Sequence, residues 1–403
     1  MSAEFNAAAL LKERPEADIA RLSSRGVLFG AVGILATAAG FFMVDRVQFF
    51  QSYLIAYMFW LGITLGSLGL LMVQYLSGGA WGMVARRIFE AATRTLPLMA
   101  LAFIPIAMNL KVLYKWAKPE IVAADPLIQS KVAYLNPEFF YIRAVLYFVI
   151  WGVLITVLNR WSLQQDQSAP LEPGPMDRRF RLLSGPGLLL HVLCLTFMSV
   201  DWVMSLDPHF YSTIFGVLTL GGQGLSTMAF TILVLQGLSN SKPISEIADA
   251  ERFHDYGKLL LAFVMLWAYF NVSQLLIIWS ANLPEEIPWY IERLGGHWKP
   301  WAVVVLVGHF MLPFMLLLSR DLKRHGRVLS RVALLVLVMR IIDFVWTIGP
   351  IFRHDYTIHW LDFAVVAAFA APWLWLFFRN LGSRSLVPAN DPYFKEAVAN
   401  GGH

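Results

Sequence analysis

A chain of 403 residues that is 58% hydrophobic and only 15% charged is not an ordinary soluble domain. Its mean hydropathy of +0.58 places it among all-α, polytopic integral membrane proteins. The net charge of +5 comes from Lys and Arg concentrated in the tails and alternate loops. It is therefore a topology signal that puts both termini in the cytoplasm, and nucleic acid has no place in the reading.

Apolar runs of about 20 residues predict ten transmembrane helices, at 27–44, 53–75, 92–110, 139–159, 186–206, 212–236, 258–280, 301–319, 328–347 and 360–378. The corresponding organisation is a cytoplasmic tail (1–26), spans one to four (27–159), a polar, Pro-rich cytoplasmic linker (160–185), spans five to ten (186–378) and a second cytoplasmic tail (379–403). The first span is rich in small residues and suits close packing on a neighbouring backbone. In the second, Gly62, Gly66 and Gly69 fall at helical spacing on one narrow face, again a packing signal.

Glu90 and Arg94 stand four apart at the cytoplasmic mouth of span three, as a surface ion pair or as the inner entrance of a proton path. Pro97 and Pro105 follow and interrupt the backbone hydrogen bonding of that span. The loop 111–138, with Tyr114, Trp116 and Tyr134, offers a docking surface on the outer side. Arg143 lies one turn below that surface and can reach up to it.

The stretch DWVMSLDPHFYSTIFGVLTLGGQG, 201–224, forms a helical hairpin with ionisable groups at its tip. A carboxylate costs roughly 2.5–3.5 kcal/mol at the centre of a spanning helix. Asp201 therefore marks either a polar cavity or a position at headgroup level in contact with water. Spans two and six share a Tyr and a Gly thirteen residues apart, a weak hint of duplicated four-helix bundles. Gly221, Gly222 and Gly224 break the sixth apolar run.

Asn271 and Gln274 share a face of span seven. After Asn282, Glu285 and Glu286 open a short helix with Trp289 and Tyr290, suited to lie at the interface. Arg340 and Asp343, three apart, form an intramembrane ion pair in span nine, and Asp362 opens span ten. Asp201, Asn271, Gln274, His309, Arg340, Asp343 and Asp362 thus gather in the outer half, with Glu90, Arg94 and His191 in the inner half. Together they are candidate stations of a proton path. Asp207, His209, Glu285, Glu286, Trp289 and Tyr290 are candidates for a partner interface.

The histidines within spans, His191 and His309, sit roughly 7 and 15 Å from the cytoplasmic edge by helix rise, so they do not match as haem ligands. Cys194 is the only cysteine, which leaves this chain without the thiolates of an iron–sulfur cluster. No metal, catalytic or cofactor-binding residue is expected in the chain.

The segments DWVMSLDPHFYSTIFG, SQLLIIWSANLPEEIPWYIERLGG and YLIAYMFWLGITLGSLGLL resemble the ActF subunits of bacterial alternative complex III, within the wider NrfD/PsrC-like family of polysulfide reductase membrane subunits. The resemblance implies two four-helix bundles flanked by two further helices in the bacterial inner membrane. It also implies assembly with a paralogous ten-helix membrane subunit, a multihaem cytochrome c, an iron–sulfur protein and small membrane-anchored subunits, among lipids. Haem c and iron–sulfur clusters would then belong to partners and quinol to the paralogue, with this chain as a scaffold and proton conduit. The alternative from another class is a stand-alone secondary transporter, with a polar site at the glycine-interrupted sixth helix.

Overall fold

The computed structural model describes residues 15–167, 175–354, 357–388 and 391, and within them the chain is helical, without strands. Eight helices are each long and apolar enough to cross a membrane. They are α1 (Glu16–Met43), α2 (Arg46–Ser77), α5 (Pro137–Gln167), α6 (Pro175–Trp202), α7 (Phe215–Leu238), α8 (Ala250–Ala281), α10 (Gly296–Leu318) and α12 (Trp360–Gly382). The pair α3 (Ala80–Thr93) and α4 (Leu96–Met108), bent by 40°, makes a ninth if it is one span. Besides several helices of four to six residues in the loops, there are the short α9 (Ile287–Leu294) and the 23-residue α11 (Gly326–Ile348). The count by length and composition is thus eight or nine and not ten. α11, where the ninth span is expected, carries Arg327, Arg331, Arg340 and Asp343 and falls outside it.

Helix α2 is the axis of the molecule. Asp45 caps it, accepting from the Val47 N–H at 2.9 Å, and its most apolar 18-residue window is entirely buried, against 17% for that of α1. A helix apolar on every side belongs inside other helices, and α2 packs against α3, α6, α7 and α12. α7 is the second axis, in contact with α2, α6, α8 and α11. α1 lies along α12, with Gly30 and Gly33 seated on the Ala367–Ala371 backbone. Trp60 Nε1 donates to the Val366 carbonyl at 2.9 Å and Trp373 Nε1 to Thr64 Oγ1 at 3.0 Å, tying α12 to α2.

The glycine face of α2 does what packing requires. Gly66 meets α7 so closely that a Cβ there would stand 2.6 Å from the Gln223 carbonyl. Gly221, Gly222 and Gly224, read as a break, do not interrupt α7, which is helical from Phe215 to Leu238. They thin the helix instead: Gly222 leaves the space that the Arg340 guanidinium fills. A transporter site at an interrupted sixth helix therefore loses its structural basis.

Two other expectations change. The linker 160–185 is helical on both flanks, since α5 continues to Gln167 and α6 begins at Pro175; residues 168–174 lie outside the described residues. The loop 111–138 folds onto its own helices, with Tyr114 and Trp116 buried against Phe140, so these two aromatics face no partner. In α10, residues Leu306–Met311 form a π turn.

Gly33→Leu would drive a side chain into the Ala367–Ala368 backbone. It is expected to destabilise by roughly 1–3 kcal/mol and to abolish a disulfide between cysteines placed at 26 and 374. Gly152→Leu, at a position where a Cβ meets nothing within 4 Å, should preserve that disulfide.

Candidate functional site

The ionisable groups buried among these helices fall into four clusters rather than one line. The first joins α5 to α6. Arg143 donates to Asp201 through Nε at 2.8 Å and Nη2 at 2.9 Å, and Tyr147 Oη donates to Asp201 at 2.7 Å. The Tyr134 ring lies 3.9 Å from the guanidinium carbon. Asp201 is fully buried and Arg143 nearly so. Arg143 does not reach up to the surface: a buried carboxylate and a fork of N–H donors satisfy one another at lower cost than either alone. Asp201 is closed off from the surface and held by its partners, as a joint between helices.

The second cluster is another joint. Asp362 accepts both terminal Arg353 nitrogens at 2.7 Å, Ser52 Oγ at 2.6 Å and the His359 N–H at 3.0 Å. The last contact belongs to the capping box that starts α12.

The third lies at the termini end, where the sequence suggests few polar groups. Glu90 does not pair with Arg94. It accepts from Arg86 Nε at 2.9 Å, Arg87 Nη1 at 2.7 Å and Ser162 Oγ at 2.6 Å, with Arg384 Nη1 at 3.4 Å. Arg86 also reaches Asp391 at 2.9 Å and Gln165 at 2.7 Å, and Arg87 reaches Asp166. Arg94 turns the other way, to the Asn380 carbonyl and Ser383. The Arg94 N–H still bonds the Glu90 carbonyl at 3.3 Å, so the turn holds to this point and it is the course of the Arg94 side chain, toward Asn380 and Ser383, that parts the two charges.

The fourth cluster surrounds a space of its own. A chamber of about 50 Å³ lies between α7, α8, α9 and α11, with Thr219, Asn271, Gln274, Tyr290, Arg293, Arg340 and Asp343 on its walls. At roughly 10–15 Å³ per water, it has room for about three to five. Asp343 accepts from Arg340 and, at 3.2 Å, from Trp267 Nε1. Gln274 accepts from Ser212 Oγ at 2.9 Å and donates to Tyr290 Oη at 3.2 Å. Arg293 donates to the Trp289 carbonyl at 2.7 Å and the Thr347 carbonyl at 2.5 Å, and its guanidinium lies over the Trp289 ring. Burial on α9 pushes the Arg293 pKa down to about 9. The Nε atoms of Arg293 and Arg340 are buried without a partner.

Beside this chamber, His309 stands on the π turn with its ring 4.5 Å from that of Trp267. His191, on α6, lies against Trp151 in the other group of helices. Both imidazoles are fully buried and neither makes a hydrogen bond through either nitrogen. Gln223 of α7 is in the same state, with amide oxygen and nitrogen both unpartnered. Buried polar atoms without a protein partner are uncommon, and ordered water is the usual partner for them.

The structure thus brings Asn271, Gln274, His309, Arg340 and Asp343 together and leaves Asp201, Asp362, Glu90, Arg94 and His191 elsewhere. Several interface candidates are turned inward. Trp289 is buried on Phe210 with ring centroids 4.0 Å apart, Glu286 is buried, and Tyr290 bonds Gln274, so none of these presents itself to a partner. Glu285 is exposed, and His209 is half-exposed beside Asp207 and 2.8 Å from Asp125. Sequence reasoning missed Arg86, Arg87, Gln223 and Arg293. A glutamine inside a Gly-Gly-Gln-Gly run was the available signal for Gln223.

Asp201→Asn leaves Arg143 buried and unpaired, so it should lower stability by about 3–5 kcal/mol, read as the unfolding midpoint in detergent. The double variant Arg143→Met/Asp201→Leu removes both charges and should recover most of that loss. Equal losses in the single and double variants would refute the joint assigned to this pair. In comparisons with known proteins, no family model and no curated protein matches this chain.

Proposed function

We propose that the chain is an integral membrane subunit of a quinol-oxidising respiratory complex of the alternative complex III type, serving as a scaffold and as a proton-conducting path. Counting the bent α3–α4 pair and α11 as spans gives ten. In this reading α2–α6 form one four-helix bundle, α7–α11 a second, and α1 with α12 flank them. Both termini then face the cytoplasm of a bacterial inner membrane. The paralogous ten-helix subunit would carry the quinol site, and the multihaem cytochrome c and iron–sulfur protein would carry the electrons.

The observation that carries the proton-path reading is the chamber around Asp343. It puts a carboxylate, two guanidiniums, two amides, a phenol and room for water among these helices. Groups of this kind in a membrane interior are costly and favour a role in ion or proton movement. His309, packed on Trp267, and Gln223, on the face of α7 toward α2, add further polar groups near this chamber. The exchangeable route accordingly runs through Asp343, while Asp201 and Asp362 brace helices.

Two measurements test this. On a native gel of solubilised membranes, the chain should migrate with haem-staining partners; migration alone or as a homo-oligomer would favour a transporter. In reconstituted vesicles containing the whole assembly, Asp343→Asn should keep the partners bound and lower proton release per electron at least several-fold. Full proton stoichiometry in that variant would remove the conduit and leave the scaffold.

A further inference from the structure

The segment that joins α10 to α11 belongs to none of the clusters described above. Its sequence, SRDLKRHGRVLSR (319–331), carries Arg320, Lys323, Arg324, Arg327 and Arg331 against the single acid Asp321. The short helix Arg320–Arg324 packs on α8. Gly257 of α8 makes the fit, since a Cβ there would stand 2.6 Å from Lys323 Cγ and 2.9 Å from its Cβ and Cδ. The Lys323 stem is thus clamped against α8, with only 7% of the residue exposed. We propose that Lys323, with Arg320 and Lys258, forms a binding site for the phosphate headgroup of an anionic phospholipid at the membrane surface.

The charges leave a place for an anion. Among the described residues, neither Lys323 nor Arg320 has a hydrogen-bond or ion-pair partner for its side chain. Lys258 has one, Asp255 at 3.0 Å, and Asp255 also faces Arg252 at 3.7 Å. Arg320, Lys258 and Lys323 all act on His254, which stands one turn before Lys258 on α8, so the three cations converge there. Burial and the charge of Lys258 hold the Lys323 pKa below the usual lysine value. Two ammonium groups fixed near each other repel, and a phosphate oxygen for each replaces that repulsion with charge-assisted hydrogen bonds. The clamped stem is already ordered, so binding costs it little rotamer freedom.

The surroundings select a lipid over a soluble phosphate. Arg327, Arg331, Leu334 and Val338 recur at helical spacing and are all exposed, so one face of α11 passes from guanidiniums to bare apolar side chains. On α10, Met315 and Leu318 are each more than half exposed and precede Arg320 by less than two turns. A phospholipid presents the same order of charge and hydrocarbon, and clusters of Lys and Arg just beyond a spanning helix attract anionic headgroups.

This site rests on the helices spanning a membrane and not on the assembly or the proton path proposed above. Haem-bearing partners and proton release can therefore be found or lost without touching it. The test is native mass spectrometry of the full-length protein, delipidated in detergent and titrated with phosphatidylglycerol or phosphatidylcholine. Phosphatidylglycerol is expected to bind more tightly, by roughly fivefold or more. Lys323→Met keeps a stem for the groove at Gly257 and removes the ammonium. It should weaken phosphatidylglycerol about fivefold at an unchanged unfolding midpoint, and Arg320→Gln at the surface should do likewise. Lys111→Gln, at an exposed lysine after α4, should leave binding as it was. Equal affinity for the two lipids, or undiminished phosphatidylglycerol binding in the double variant Arg320→Gln/Lys323→Met, would overturn the assignment. Glycerol 3-phosphate that displaces the lipid as well as phosphatidylglycerol itself does would overturn it too, and would give the cluster to a soluble phosphate.

Discussion

A guanidinium removed from water among spanning helices must have its charge balanced and its five N–H donors answered, and much of this structure follows from that requirement. Arg143 takes Asp201, Arg353 takes Asp362, Arg86 and Arg87 share Glu90, and Arg340 takes Asp343. Each pair sits where helices meet, so the geometry of the pairs and the packing of the helices are set together. Arg340 shows the dependence most clearly. Its guanidinium occupies the space left by Gly222, so the spacing of α7 and α11 is matched to one missing side chain.

Among the described residues, the clusters differ in how many donors their carboxylates accept, four at Asp362 and two at Asp343. Around Asp362 the carboxylate oxygens accept from Arg353, Ser52 and the His359 backbone. Such a group gains nothing from a passing proton. Around Asp343 the wall is incomplete, with free nitrogen on Arg293, Arg340 and His309 and space for water. A partly satisfied polar network is costly in a low-dielectric interior, and its persistence is most readily understood as the cost of a function.

The sequence shows its helices because apolar runs of bilayer length are a strong signal, and it shows Arg340–Asp343 because three residues along a helix put both side chains on one face. Arg143 and Asp201 were legible singly and not as a pair, because 58 positions separate them and their meeting depends on the rotation of two helices. Glu90 illustrates the opposite failure. Arg86, Arg87 and Arg94 are all within helical reach of it in sequence, and side-chain direction, which spacing does not encode, decides which of them meet it. The inward turn of Trp289 was hidden for a related reason: an aromatic on a short loop helix has the same composition whether it faces lipid or its own chain.

The π turn that carries His309 makes α10 unlike its neighbours in one respect. Its wider loop holds surplus backbone within a single turn, so the helix can lose a residue between Leu306 and Met311 by relaxing to ordinary α geometry. The same loss in any continuous helix rotates everything beyond it by about 100° and carries one face of side chains into lipid. Changes in chain length that would scramble the other helices can therefore be absorbed here, and the residue they would displace is the histidine beside Trp267.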